Sequence, residues 1–421
     1  MSQVNCSYSF SFSDCNKRSL IILAGIFLFF LNFYGCSSST LFSSNASEKS
    51  LINTHTYSTF GLHDITTFDV SVNDEAIHLL IGGKVSATDK KVGIRYLQSK
   101  DGGNTWSNPI IVANPESVIN NRGNDIQLAA KGEHLLAMWQ EKGELPGMGP
   151  LASAYSLDNG KTWIDGKNPA INDAGDQSHA DVIADKDGHF HAVWLEDPDE
   201  NGYQSLRYAN SNDHGQSWSK AITIEDSTCS CCWNTLALSP NHDLNIFYRD
   251  MKPRDMALMR SSDAGKTWQR ISTVGAFGWQ FDGCPHVGGA LAYDDAEPNR
   301  LYSLSWTGLE GKSGLYHLAS SDNGKTWSTP FKLGKQAVHG DIAVFQGNIV
   351  AIWDEIETDG SIFYATSRDD GNTWSPAKKL TGTNITATHP RLVSTANGML
   401  AVWTEKSGLN PSRIAWVQIN P

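Results

Sequence analysis

The sequence predicts an all-β chain folded as a β-propeller of four-stranded blades, and three observations carry that expectation. The motif S-x-D-x-G-x-[ST]-W occurs six times, from SKDGGNTW at Ser99 to SRDDGNTW at Ser367. Its aspartates Asp101, Asp158, Asp213, Asp263, Asp322 and Asp369 lie 57, 55, 50, 59 and 47 residues apart. Repeats of that period build propellers, solenoids or arrays. Second, seven short apolar runs recur between the motifs: IHLLIGG from Ile77, HLLAMWQE from His134, HFHAVWLE from His189, LNIFYRD from Leu244, LYSLSWTG from Leu301, IVAIWDE from Ile349 and MLAVWTE from Met399. Third, seven further strands follow them, from Val92–Gln98 to Arg413–Gln418, and the last is followed by neither motif nor outer strand.

Each motif reads as a self-locking turn. Aspartate bonds backbone groups two residues on, glycine supplies a positive φ, and the hydroxyl residue and tryptophan begin the next strand. A blade then runs inner strand, second strand, third strand, motif turn and outer strand. The last blade lacks its outer strand, which a segment near residues 53–60 is expected to supply, closing the ring without an open sheet edge. This predicts seven blades, with six as the alternative.

The motif resembles the Asp-box of the sialidase or BNR-repeat superfamily, over about residues 51–421. The six box aspartates are then scaffolding. For an exo-α-sialidase-like hydrolase of surface glycans, the resemblance implies three arginines clamping a substrate carboxylate, a tyrosine nucleophile activated by glutamate, and an aspartic acid as acid/base. The family's R-I-P motif does not occur, and Arg95 is the sole arginine between the leading segment and the first box. Arg122, Arg249, Arg254 and Arg391 are candidates for a reassembled clamp, although Arg249-Asp250 and Arg254-Asp255 also read as salt bridges. Tyr203 and Tyr316 stand in suitable regions. Sialidases have six blades, so a count of seven departs from the enzymes. Asp-box propellers also serve as noncatalytic binding or assembly platforms, a third reading.

Residues 1–36 resemble a bacterial lipoprotein signal. Lys17 and Arg18 precede an apolar run, Leu20 to Phe33, shorter than the ~20 residues of a membrane span, and Cys36 is the residue to be lipidated. Residues 37–50 read as a Ser-rich tether and 51–421 as the propeller. The expected location is extracytoplasmic and membrane-anchored, through the lipid or through an uncleaved N-terminal segment, facing the periplasm or the cell surface. Without residues 1–35 the chain keeps 31 basic and 44 acidic residues, a net charge of −13, with no basic cluster. Nucleic acid is therefore not an expected partner. A small molecule, glycan or protein at the channel mouth is.

Aligning the blades places Thr66, Asn124, His179, Trp233, His286, His339 and His389 at the start of successive inner strands, forming a ring at the channel mouth. Four of the seven are histidines. Cys229, Cys231 and Cys232 (STCSCCW) and Cys284 (GCPH) lie in loops entering two neighbouring inner strands. Imidazole and thiolate are the ligands of zinc and copper, and the sulfur-rich set favours copper. The expectation is a transition-metal centre held by His179, His286, His339 and His389 with the four cysteines as ligands, or with the cysteines as disulfides bracing it. Asp125, Asp181 and Asp341, one or two residues after ring positions, are expected to orient imidazoles or to be structural. Acids ending five second strands, Glu141, Glu196, Asp250, Glu355 and Glu405, are expected on the same face, most of them solvent-facing.

Overall fold

The computed structural model describes residues 55–88, 91–115, 126–143, 149–170, 177–197, 204–356 and 360–421. The leader and tether, Cys36 included, lie outside the described residues, as do Arg122, Asn124, Asp125 and Tyr203. Seven four-stranded antiparallel sheets form the blades of a β-propeller. Their inner strands are Asp64–Asn73, Ile126–Lys131, Ser178–Ala184, Thr235–Leu238, Gly289–Tyr293, Ala337–Phe345 and Ile385–Thr395, numbered here as blades 1 to 7. Each inner strand packs against the next, and that of blade 7 returns to that of blade 1, so the ring closes.

The seven apolar runs are the second strands. Their near-continuous hydrophobicity has a physical cause: each is enclosed on both faces by neighbouring blades, as in the wholly buried Phe190–Glu196. Seven apolar clusters fill the seven gaps between adjacent blades. Leu80 and Tyr96 of blade 1 meet Ile126 and Leu135 of blade 2, and Phe68 and Ile81 of blade 1 meet Leu400 and Trp416 of blade 7.

The closing strand is where the sequence predicts it. Thr56–Ser58 pairs antiparallel with Ile414–Trp416 and becomes the outer strand of blade 7. Phe60 stacks on Trp416 at 5.7 Å, and His55 Nε2 meets Glu405 Oε1 at 3.1 Å.

The box turns lock differently from the expectation. Asp263 Oδ1 accepts the Thr267 amide at 2.8 Å, its Oδ2 accepts the Thr267 hydroxyl at 2.6 Å, and Ser261 Oγ accepts the Gly265 amide at 2.8 Å. Both clasps therefore span four residues rather than two. The tryptophan leads directly into an outer strand at Trp163 and Trp268, whereas in the other boxes a non-strand segment intervenes. What it does in all six boxes is pack between blades, as Trp106 does against Phe60 and Trp416. Gly265 has φ +85°, and a Cβ there would strike Tyr208 of the preceding blade. Each box is thus also an interblade contact.

Candidate functional site

The inner strands enter the channel through a repeated irregularity. Register shifts fall between Ile65 and Thr67, Ser178 and Asp181, Ala337 and Gly340, and Thr388 and Arg391. Thr66, His179, His339 and His389 therefore occupy equivalent bulges, which re-aim side chains out of the ladder. Trp233 and His286 stand just ahead of the inner strands of blades 4 and 5. His179, His286 and His389 have φ of 52°, 52° and 50°, a left-handed conformation that histidine enters more readily than most residues.

Equivalent places do not bring the four imidazoles into one group. Trp233 meets His179 edge-on at 5.1 Å and His389 at 5.8 Å, and His389 stacks on His339 at 3.9 Å. His286 instead joins the cysteines. Among the described residues, mutually close donor groups at this end of the channel are Cys229/Cys231/Cys232, Cys231/Cys284/His286 and His339/Asp354/His389, each with ligand atoms within 4.8 Å of one another. A further group, Asp185/Asp187/His189, sits in a hairpin whose Asp185 carboxylate accepts the Asp187 and His189 amides and holds the turn.

The first two groups share Cys231 and form one cluster. Cys229, Cys231 and Cys232 are buried, Cys284 is exposed, and all four are free thiols. Cys229 Sγ lies 2.7 Å from Cys232 Sγ and 3.8 Å from Cys231 Sγ. Arg254 Nη1 donates to Cys229 Sγ at 3.0 Å, and its Nε donates to the Phe281 carbonyl at 2.7 Å. Thiol donation from Cys231 and Cys232, together with the Arg254 charge, holds Cys229 far below the ordinary thiol range. Burial pushes Cys232 up to about 12. A sulfur favoured as thiolate beside neighbouring thiols is a donor set on which a soft cation could displace protons.

Asp181 and Asp341 have a different task from orienting imidazoles. Asp181 Oδ2 accepts the Leu236 amide of blade 4 at 2.6 Å, and Asp341 Oδ2 accepts that of Leu392 in blade 7 at 2.9 Å. Asp69, at the corresponding place in blade 1, accepts the Leu128 amide of blade 2 at 2.8 Å. The three carboxylates tie adjacent inner strands together across the channel wall. Arg391 serves them as counter-ion, with Nη2 3.3 Å from Asp69 Oδ1 and Nε 3.4 Å from Asp341 Oδ2. Burial raises all three acids, Asp181 to about 7, against the pull of Arg391.

The remaining arginines do not converge as a clamp. Arg249 is buried and donates to the Val287, Arg254 and Trp306 carbonyls. The salt bridges read from Arg249-Asp250 and Arg254-Asp255 are not the pairs that form: Asp250 pairs with Arg270 at 2.7 Å, and Asp255 accepts the Gly278 amide. Tyr316 donates its hydroxyl to the Lys312 carbonyl. A tyrosine-glutamate pair does exist, Tyr248 to Glu225 at 3.1 Å, but burial raises the Tyr248 hydroxyl instead of activating it. Glu196, Glu355 and Glu405 are buried, contrary to the solvent-facing expectation. Each accepts the indole N–H of the tryptophan two residues earlier, at 3.0, 3.2 and 2.9 Å.

The BNR repeat-like domain family matches residues 81–280. That match, over residues 81–280, is consistent with a sialidase/BNR-repeat β-propeller. An ulvan lyase, from a new family of polysaccharide lyases, is similar in fold over 88% of this chain and 96% of its own, with TM-score 0.58 and 12% identity. A mutant of NanB sialidase from Streptococcus pneumoniae aligns over 87% of this chain and 70% of its own, with TM-score 0.49 and 11% identity. Trypanosoma rangeli sialidase aligns over 85% of this chain and 55% of its own, with TM-score 0.49 and 13% identity. At such identities the likeness is one of fold. No curated protein matches the sequence.

Proposed function

We propose that this sialidase-like propeller is an extracytoplasmic, lipid-anchored protein that binds a transition metal, copper in preference to zinc, through Cys229, Cys231, Cys232, Cys284 and His286. One observation carries the reading: four thiols and an imidazole from two loops meet above a buried guanidinium, Arg254, which donates to the Phe281 carbonyl and to the Cys229 sulfur. A buried cation calls for an anion, and the thiolate supplies it. Thiolate-rich sets select Cu(I) over harder cations. The hydrolase reading gains no comparable support, since Arg249, Arg254 and Arg391 are each tied to groups of the propeller itself.

The test is metal analysis of the full chain, purified without a chelating tag and reconstituted anaerobically with Cu(I). About one equivalent bound, with thiolate-to-metal absorption, is expected, and Cys232→Ser should lower it sharply. Less than about 0.1 equivalent, or a metal content indifferent to Cys232→Ser, overturns the proposal. Two disulfides in the aerobic protein would mark the cysteines as braces instead.

A further inference from the structure

We propose that Cys229 and Cys232 are a reversible redox pair, oxidised by a small disulfide that reacts first at Cys284, with the oxidation passed inward through Cys231. The four sulfurs are graded in depth and separation. Cys284 is exposed, whereas Cys229, Cys231 and Cys232 are buried. Cys284 and Cys231 belong to one group whose ligand atoms lie within 4.8 Å of one another. Cys231 Sγ is 3.8 Å from Cys229 Sγ, which in turn is 2.7 Å from Cys232 Sγ. The chain of contacts thus runs from solvent to a buried Cys-x-x-Cys pair, where the two sulfurs come nearest.

Thiol–disulfide exchange proceeds by attack of one sulfur on another through mixed disulfides, so each transfer needs a thiol next to the last. Cys284 attacks one sulfur of the incoming disulfide RSSR, and RSH leaves with the Cys284 proton. Cys231 attacks the Cys284 sulfur of that mixed disulfide, and the second RSH leaves with the Cys231 proton. Cys229 then attacks the Cys231 sulfur, which returns Cys284 to a thiol. Cys232 attacks the Cys229 sulfur, which returns Cys231. In sum, the Cys229 and Cys232 thiols give two electrons and two protons to RSSR, one S–S bond forms and one breaks.

Arg254 makes the pair a switch instead of a permanent brace. Its Nη1 donates to Cys229 Sγ at 3.0 Å from a buried position. A guanidinium bonded to this sulfur favours the reduced form over a neutral disulfide, and a favoured reduced form makes the disulfide easier to open. Cys229 and Cys232 are each only 1% exposed, so reduction from outside also runs through Cys231 and Cys284. The exchange needs no metal. Cys229 and Cys232 are, however, two of the sulfurs proposed above as ligands, so oxidation would withdraw both from a bound ion. That consequence alone rests on the metal-binding reading.

The test places the full chain, reduced and metal-free, in mixtures of reduced and oxidised glutathione. Samples are quenched in acid, their remaining thiols are alkylated in denaturant, and the chain is cleaved after Lys and Arg for mass spectrometry. Residues 221–249 then carry Cys229, Cys231 and Cys232, and residues 271–300 carry Cys284. In oxidising mixtures the first peptide should hold one internal disulfide with its alkyl group on Cys231 alone, and the second should be alkylated. Excess reduced glutathione should restore all three alkyl groups. At early times, glutathione on Cys284 or the two peptides joined through Cys231 and Cys284 should appear and then decline. Cys284→Ser should reach the same end state at least ~10-fold more slowly, and Arg254→Met should need at least ~10-fold more reduced glutathione to open the disulfide. Three alkylated cysteines in the first peptide in every mixture, joined peptides as the end state, or a disulfide that excess reduced glutathione leaves closed overturns the proposal. A wild-type rate in Cys284→Ser overturns the relay, and where that variant does not fold, the early species of the wild-type chain decide the same point. A chain that exchanges disulfides but takes up no Cu(I) refutes the metal reading alone. One that takes up Cu(I) but never forms the Cys229 to Cys232 bond refutes this proposal alone.

Discussion

Arg254 donates to Cys229 Sγ at 3.0 Å from within the protein interior, and its other side-chain bond goes to the Phe281 carbonyl. A guanidinium there favours a sulfur anion, and under the proposed metal-binding function Arg254 is a positioning residue for the cysteine cluster. Arg254→Met keeps an apolar stem of similar length and removes the charge. Hydrogen bonds to charged groups contribute ~1.5 to 3 kcal/mol, so metal affinity should fall by at least tenfold. A purely structural role would lower stability alone. The distinguishing readout is the pH profile of Cys229 alkylation, which should move to higher pH in the variant and stay put if the contact only packs the loop.

Arg391 supplies a second contrast between scaffold and site. A substrate-clamping arginine could be truncated at small cost in stability, but this one neutralises Asp69 and Asp341, with Asp181 also near enough to act on its charge. Arg391→Ala should destabilise the propeller by ~2 to 3 kcal/mol, less than the ~3 to 5 of a fully buried pair because the side chain is 30% exposed. Adding Asp341→Asn should recover part of the loss. Urea midpoints of the two variants check both statements, and an unchanged midpoint for Arg391→Ala would show that the carboxylates are balanced elsewhere.

The box glycines predict a graded series. Gly265→Ala places a methyl against Tyr208 at φ +85°, whereas Gly132, at φ +57°, has open space around it. Both substitutions strain the backbone, by ~1 kcal/mol. Only the first must also displace the neighbouring blade, so Gly265→Ala should cost ~2 kcal/mol more than Gly132→Ala. Equal melting temperatures for the two variants would remove the interblade role of the box.

What the sequence disclosed follows from the range of the interactions involved. The box, the seven apolar runs and the missing last outer strand are local or periodic, so blade number and the closure by Thr56–Ser58 were readable from residue types alone. The equivalent bulges at Thr66, His179, His339 and His389 were readable too, because a similar spacing separates each from its second strand. Which ring residues meet was not. That depends on Trp233, whose indole stands between His179 and His389, and on Asp354, which is one residue before the Glu355 singled out as the strand-end acid. The alternation of a strand decides that neighbour: Glu355 turns to Trp353 and the blade interior, and Asp354 turns to the channel histidines. Arg254 was legible as charge and misread as to partner, since a thiolate counter-ion leaves no mark in the charge pattern.

Two buried histidines outside the site predict how the fold responds to acid. His78 and His317 are enclosed between blades, and burial pulls both down to about 4 from the ordinary 6.5. The unfolded chain therefore takes up these protons first as pH falls. Their contribution is fully present above pH ~6.5 and is lost progressively towards pH ~4, ~3 kcal/mol for each. Asp181, raised to about 7, acts in the opposite direction over the same window, so the difference between variants is the informative quantity. His78→Phe with His317→Phe removes both titrations while keeping planar rings in place. The urea midpoint of wild type should fall more steeply between pH 7 and 4 than that of the double variant. Below pH ~4 the two should converge in slope, as the box carboxylates Asp158 and Asp263, held at about 2 by the Thr162 and Thr267 hydroxyls, begin to protonate in both. Parallel curves from pH 7 to 4 would mean that the two rings titrate in the folded state as they do in the unfolded chain.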